Sequence, residues 1–160
     1  MITRTDALHD ALDRLSGYGY FDVPGFAFHG PMGAETVSTL GHDDLVAGWV
    51  EDYKARHQPL DVPPPVERLD PDDERSWRPA LGDVARLSDW AAMFGRELRE
   101  GSWQTVVRRW VPQLLPGYGG GLTHGLIRVA HGVRALSPAV PAVTPPCNNH
   151  IDRVRRPPLR

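Results

Sequence analysis

The fold class is decided by residues 43–57, which read DDLVAGWVEDYKARH. The apolar residues Leu45, Val46, Trp49, Val50 and Tyr53 recur at intervals of three and four, so they share one face of a helix. The two aspartates at the start of the stretch can accept hydrogen bonds from the unpaired N–H groups of a first helical turn. The stretch therefore predicts an amphipathic helix that ends near its histidine.

The same periodicity recurs on both sides of this helix. It predicts further helices over 6–16, 31–40, 88–100, 102–114 and 122–136. Four prolines in 59–65 stop the helix of 43–57, and residues 58–76 read as a surface crossing. No alternating stretch bounded by hairpin turns is present, so we predict an all-α, multi-helical bundle.

The periodicity ends at Leu136. Six prolines follow between Pro138 and Pro158, and the apolar residues there have no regular spacing. We predict a helical domain over 1–136 and an irregular, Pro-rich tail over 137–160. Two interpretations of this tail stay open, a natural disordered segment and the product of a frameshift or truncation.

Composition is that of a soluble globular protein, with 41% hydrophobic and 24% charged residues in 160. The net charge is -2 with both signs interspersed, which predicts neither nucleic acid nor an anionic membrane as a partner. No apolar stretch approaches the roughly 20 residues of a membrane span, and no secretory leader is recognisable, so we expect a cytoplasmic protein. The single cysteine, Cys147, excludes an internal disulfide.

Three histidines are the candidate site residues. His29 lies at the start of the predicted helix 31–40, where the helix dipole favours a neutral ring, the form that a metal requires. His124 and His131 are seven residues apart, close to two helical turns, and so share a helix face. Gly125 and Gly132 follow them and suggest a close approach of another element. The alternative is that all three are hydrogen-bonded packing residues.

Several collinear motifs resemble the questin oxidase-like family. They lie in order over about 18–136: Phe28-His29-Gly30-Pro31-Met32 with Glu35, Trp49-Val50 with Tyr53, Trp77 to Gly82, Asp89-Trp90, Trp110 to Gly117, and above all Thr123 to Leu136. The resemblance implies a mostly helical oxidoreductase that opens a ring of a polycyclic aromatic ketone in a Baeyer-Villiger-type oxidation in secondary metabolism, with NADPH as reductant. It also implies a chain that ends before the family's active site is complete.

Residues and resemblance together give a first hypothesis. His29, His124 and His131 converge on iron or another first-row metal, since imidazole suits such ions and no flavin or dinucleotide fingerprint is present. Arg128, the fourth predicted catalytic residue, and Arg134 would orient an oxygen-rich aromatic substrate, brace the site or form ion pairs. The rival hypotheses are a non-catalytic helical fragment or interaction module, able to form a homo-oligomer, and a metal-free enzyme that uses only NADPH.

Overall fold

A computed structural model describes residues 4–23, 26–58 and 60–136. In this part of the chain helices dominate, which confirms the predicted fold class; the tail predicted over 137–160 lies outside the described residues. The α-helices are α1 (Arg4–Leu15), α2 (Gly30–Thr39), α3 (Asp43–Arg56), α4 (Glu74–Trp77), α5 (Leu87–Glu100), α6 (Trp103–Leu114) and α7 (His124–Leu136). Short 3-10 helices occupy Arg78–Ala80, Val84–Arg86, Leu115–Gly117 and Gly120–Thr123. None of the described helices is long and apolar enough to cross a membrane.

A small hairpin that the sequence did not predict lies between α1 and α2. Its strands, β1 (Phe21–Val23) and β2 (Phe26–Ala27), pair in antiparallel fashion. Strands of three and two residues are too short to show an alternating pattern, which is why the periodicity missed them. The N–H of Leu60 donates to the carbonyl of Phe21 at 2.7 Å and fastens the Pro-rich crossing to this hairpin.

The first hydrophobic core joins α1, α2 and α3. Its residues project from three helices and from the segment after β2, and they are Leu8, Ala11, Leu15, Phe28, Ala34, Val46, Val50 and Tyr53. Helix α7 returns from the far end of the described chain and packs against α2. This return brings His124 and His131 to the segment that carries His29.

The second core lies among α4, α5 and α6. It contains Leu69, Trp77, Ala80, Met93, Val106 and Trp110, with Trp90 and Phe94 packed against it. The rings of Trp77 and Trp110 meet edge to face with centroids 5.2 Å apart, a geometry that aromatic quadrupoles favour. These tryptophans are therefore packing residues.

Asp89 anchors the Pro-rich crossing to α5. Its carboxylate accepts the N–H groups of Val66 at 2.9 Å and Glu67 at 3.1 Å, and it pairs with Arg86. Burial raises the pKa of Asp89, but the guanidinium and the two N–H groups outweigh it, and the net shift is downward. The helix predicted over 88–100 is present and begins one residue earlier, at Leu87. The Ser88 hydroxyl lies inside it and donates to the carbonyl of Pro63 in the crossing.

Candidate functional site

An open cavity of about 380 Å³ lies where α2, α3 and α7 meet. His29, His124 and His131 all line it, as the sequence analysis expected for a shared site. The rest of its wall is mainly apolar and includes Met32, Val37, Trp49 and Ile127. The cavity thus combines three imidazoles with a mainly apolar wall.

His29 and His124 touch each other across this cavity. Their Nε2 atoms are 3.0 Å apart and their rings meet edge to face, with centroids 5.0 Å apart. His29 is the N-cap residue of α2, and its backbone N–H donates to the Tyr53 hydroxyl at 3.0 Å. Tyr53 in turn stacks on Trp49, with centroids 5.0 Å apart. A chain of packed aromatic residues therefore positions the His29 backbone.

The protonation of His29 follows from its surroundings. Partial burial is the main cause that lowers its pKa, and the nearby charges of His124 and Arg128 lower it further. The neutral ring predicted at this helix start is thus favoured. At the contact between the two Nε2 atoms, one nitrogen carries a proton and donates a hydrogen bond to the other.

The backbone before His124 is strained. Thr123 has a φ of 67°, in the left-handed region that a β-branched residue rarely adopts. Such strain costs on the order of 1–3 kcal/mol and persists only where the surrounding structure enforces it. Here it turns the chain from the 3-10 helix Gly120–Thr123 into α7, so that His124 opens the helix facing His29.

His131 lies two turns further along α7, and its ring is tied to a buried acid. Its Nδ1 is 2.6 Å from Oε2 of Glu35, a residue of α2 that is only 2% exposed. The hydroxyl of Thr39 donates to the other carboxylate oxygen at 2.6 Å, and Arg134 pairs with Oε2. Burial raises the pKa of Glu35, but these three donors outweigh it and the net shift is downward. Glu35 is therefore an ionised carboxylate beneath the cavity.

Glu35 was not predicted as a site residue, although it stands in the first motif of the family resemblance. Glutamate is usually solvated, and in a predicted helix it is taken for a surface position. The signal that could have found it is its spacing, because Glu35 follows the apolar Met32 by three residues and shares its helix face.

Arg128 lies beside the cavity, outside the set of residues that line it. Its guanidinium donates to the carbonyls of Tyr20, at 3.1 Å, and of Phe28, and it covers the ring of Tyr20. Burial lowers the pKa of Arg128. Of the roles considered for this residue, its contacts match bracing: it ties α7 to the segment that leads into His29.

The close approach expected at Gly125 and Gly132 was wrong. A β-carbon at either position would have no other residue's atom within 4 Å, because both glycines face away from α2. The close approach occurs instead at Gly33 of α2, where a β-carbon would collide with the Trp49 ring on the cavity wall.

The distance between His29 and His124 matches that between two adjacent ligands of one ion. First-row metal–imidazole bonds measure about 2.0–2.2 Å, so adjacent ligand nitrogens stand about 3 Å apart, as those of His29 and His124 do. Among the described residues, however, no group of three or more His, Cys, Asp or Glu side chains is close enough to hold an ion. His131 lines the same cavity but would have to move to join the pair.

Comparison with known proteins gives one match. The family model described as questin oxidase-like matches residues 42–143, more than half of the chain. The match includes Trp49, His124 and His131 and leaves His29 and Glu35 outside. Neither the curated proteins nor the solved structures give a match. The extent of the family match, on a helical chain with this cavity, shows that the protein belongs to the questin oxidase-like family.

Proposed function

We propose that this protein is an oxidoreductase that opens a ring of a polycyclic aromatic ketone by a Baeyer-Villiger-type oxidation in secondary metabolism. Family membership supports an oxidoreductase. The observation that carries the proposal is the cavity, in which three imidazoles stand against an apolar wall. The overall change inserts one atom of O₂ between the carbonyl carbon and a ring carbon. The other atom leaves as water with two electrons from NADPH and two protons, and hydrolysis of the resulting ester opens the ring.

The residues of the cavity divide this task. Trp49, Met32 and Ile127 take the flat hydrocarbon part of the ketone, because burial of apolar surface and stacking on an indole are both favourable. One ring of the His29–His124 pair holds the carbonyl oxygen: the ring that carries the Nε2 proton turns its N–H from the other ring to the ketone. That hydrogen bond draws electron density from the carbonyl carbon and favours addition of an oxygen nucleophile.

The spacing of the His29 and His124 nitrogens suits two ligands of a first-row metal ion such as iron. His29 and His124 would hold it, and His131 would join from the same cavity. When bound, such an ion supplies electron transfer to oxygen.

The test is turnover of a hydroxylated anthraquinone with NADPH under ¹⁸O₂. We expect oxygen-dependent NADPH consumption and a product that carries one labelled oxygen atom, in the bridging position of the ester or, after hydrolysis, in the new phenol hydroxyl. His124→Ala should lower kcat/KM by about 10²-fold or more, within the range for loss of a catalytic imidazole. His9→Ala removes an exposed histidine on α1 and should leave the rate within about twofold. Absence of labelled product, or full turnover by His124→Ala, would refute the proposal.

A second candidate, an interaction module that forms a homodimer, is favoured by the outer face of α7. All four ionisable side chains of this helix, His124, Arg128, His131 and Arg134, make contacts on its inner side. The outer face carries Leu126, Val129, Val133 and Leu136 at intervals of three, four and three, the spacing of paired helices. Leu126, Val129 and Leu136 are 46%, 42% and 49% exposed. Since this face is uncharged, a second copy can meet it without like-charge repulsion.

Light scattering after size exclusion tests this candidate. We expect a dimer for the native chain and a monomer for Val129→Glu, since the substitution buries an unpaired charge in the contact. Leu45→Glu changes another exposed apolar residue, on α3 and 55% exposed, and should remain dimeric. A monomeric native chain excludes this candidate.

A further inference from the structure

Glu35 receives three donors, and two of them converge on one oxygen. The hydroxyl of Thr39 occupies Oε1, while His131 Nδ1 and Arg134 Nη2 both approach Oε2. Every donor in this cluster comes from α2 itself or from α7. The carboxylate therefore joins the two helices that frame the cavity, and it reaches the cavity only through His131.

The contacts decide which nitrogen of His131 carries the proton. An ionised carboxylate can only accept hydrogen bonds, so a 2.6 Å contact from Oε2 to an unprotonated Nδ1 would set two lone pairs against each other. Protonated Nδ1 instead makes a charge-assisted hydrogen bond of ordinary length. Arg134 Nη2 is 3.0 Å from Nδ1, and this approach of two donors is explained by their common acceptor. A neutral His131 with a proton on Nδ1 has its lone pair on Nε2.

We propose that Glu35 is a positioning residue that fixes His131 in the Nδ1–H tautomer and thereby presents the Nε2 lone pair to the cavity. The assignment deepens the proposed function, on which it rests for the use of that lone pair as a metal ligand. Carboxylates that accept the second N–H of a ligating imidazole orient the ring and raise its basicity. Glu35 acts in this way on His131, while Thr39 and Arg134 hold the carboxylate in place.

The tautomer is measured directly in ¹⁵N-labelled, EDTA-treated protein by two-bond ¹⁵N–¹H correlations of the histidine rings near pH 8. In the native chain we expect His131 in the Nδ1–H form. Glu35→Gln places there an amide that donates as well as accepts, so we expect a mixture of both tautomers. Asp43→Asn is the matched control: it also neutralises a carboxylate that binds a buried α2 residue, Ser38 at 2.7 Å, away from the cavity. It should leave the His131 tautomer unchanged.

An Nε2–H form of His131 in the native chain overturns the proposal, and this result requires no variant to fold. An unchanged Nδ1–H form in folded Glu35→Gln also overturns it, since the ring would then be fixed by something else.

A Co²⁺ titration followed by ligand-field absorption tests the consequence for binding. Loss of such an orienting partner typically lowers metal affinity by about 10–100-fold, so Glu35→Gln should weaken Co²⁺ binding by that factor while Asp43→Asn does not. Equal Co²⁺ affinity of native and Glu35→Gln protein excludes His131 as a ligand and refutes the three-histidine metal site of the proposed function. A native chain that binds no Co²⁺ refutes that metal site altogether, and in both cases the tautomer decides the role of Glu35.

Discussion

Replacement of Gly33 by alanine tests the geometry of the cavity wall. Gly33 lies in the first turn of α2 beneath the ring of Trp49, and a β-carbon there would collide with that ring. Gly48 of α3 is the matched control, because a β-carbon there would have no atom within 4 Å. Both are helical glycines, and neither has a positive φ.

The two substitutions should change stability by different amounts. Alanine in place of a helical glycine stabilises by roughly 0.5–1 kcal/mol, which is the expected result of Gly48→Ala. Gly33→Ala gains no more than this and also forces the Trp49 ring aside, and overpacking of this kind costs about 1–3 kcal/mol. The difference between the two free energies of unfolding should therefore be about 1–3 kcal/mol, because the helix contribution cancels.

Urea denaturation followed by far-UV circular dichroism measures both free energies. The midpoint should rise for Gly48→Ala and fall or remain unchanged for Gly33→Ala, with equal slopes. The second variant should also bind the aromatic ketone more weakly, since the displaced indole is part of the wall. Stabilisation of Gly33→Ala equal to that of Gly48→Ala would refute the close contact between α2 and Trp49.

Three further predictions follow from the site. Tyr53→Phe leaves the His29 N–H without its acceptor and should cost about 1–2 kcal/mol in thermal or urea unfolding, whereas Tyr118→Phe, at an exposed ring, should cost less than about 0.5 kcal/mol. The pKa of Glu35 is lower in the folded chain than its ordinary value of about 4.3, so the ionised Glu35 carboxylate stabilises the fold fully above that pH, and this stabilisation is lost as pH falls towards the pKa of the folded state. The urea midpoint should therefore fall less steeply between about pH 6 and pH 3 in Glu35→Gln than in the native chain. Amide exchange should be faster in α7 than in α3, since α3 supplies Val46, Val50 and Tyr53 to the core and α7 has no buried residue; equal protection would contradict this.

The helices could be predicted from the sequence because their signals are local. The apolar spacing of 43–57 gave α3 to within one residue at its end, and Ser102 caps α6 through its hydroxyl. The capping expected of the two aspartates was wrong: His42 is the N-cap residue of α3, and Asp43 accepts from the Ser38 hydroxyl instead. Ser88 begins the predicted helix but lies inside α5, where its hydroxyl donates to the carbonyl of Pro63, 25 residues away in the chain. A rule based on neighbouring residues cannot predict a hydrogen bond to such a distant partner.

The site was predictable only in part for the same reason. Helix geometry places His124 and His131 on one face, and no tertiary information is needed for that. Their meeting with His29 depends on the packing of α7 on α2, which the sequence does not reveal. Glu35 illustrates the limit most clearly, because its burial depends on Arg134 and His131, about 100 positions away.

The ionisable inner face of α7 both forms part of the site and holds this helix against α2. A helix normally gains most of its tertiary stability by burying an apolar face, but α7 turns its ionisable residues towards α2 and leaves Leu126, Val129 and Leu136 exposed, while only the small Ala135 packs against the first core. Its attachment therefore depends on the Glu35 cluster and on the Arg128 contacts with two backbone carbonyls. Buried charged contacts add little to the free energy of folding, because their attraction is offset by desolvation. Removing one partner nevertheless destabilises the fold strongly, because the other charge is left buried and unpaired. The same interactions that set the cavity geometry thus also hold α7 in place. A partner on the outer face would add the apolar burial that the inner face lacks, so dimerisation and an ordered histidine site should strengthen each other.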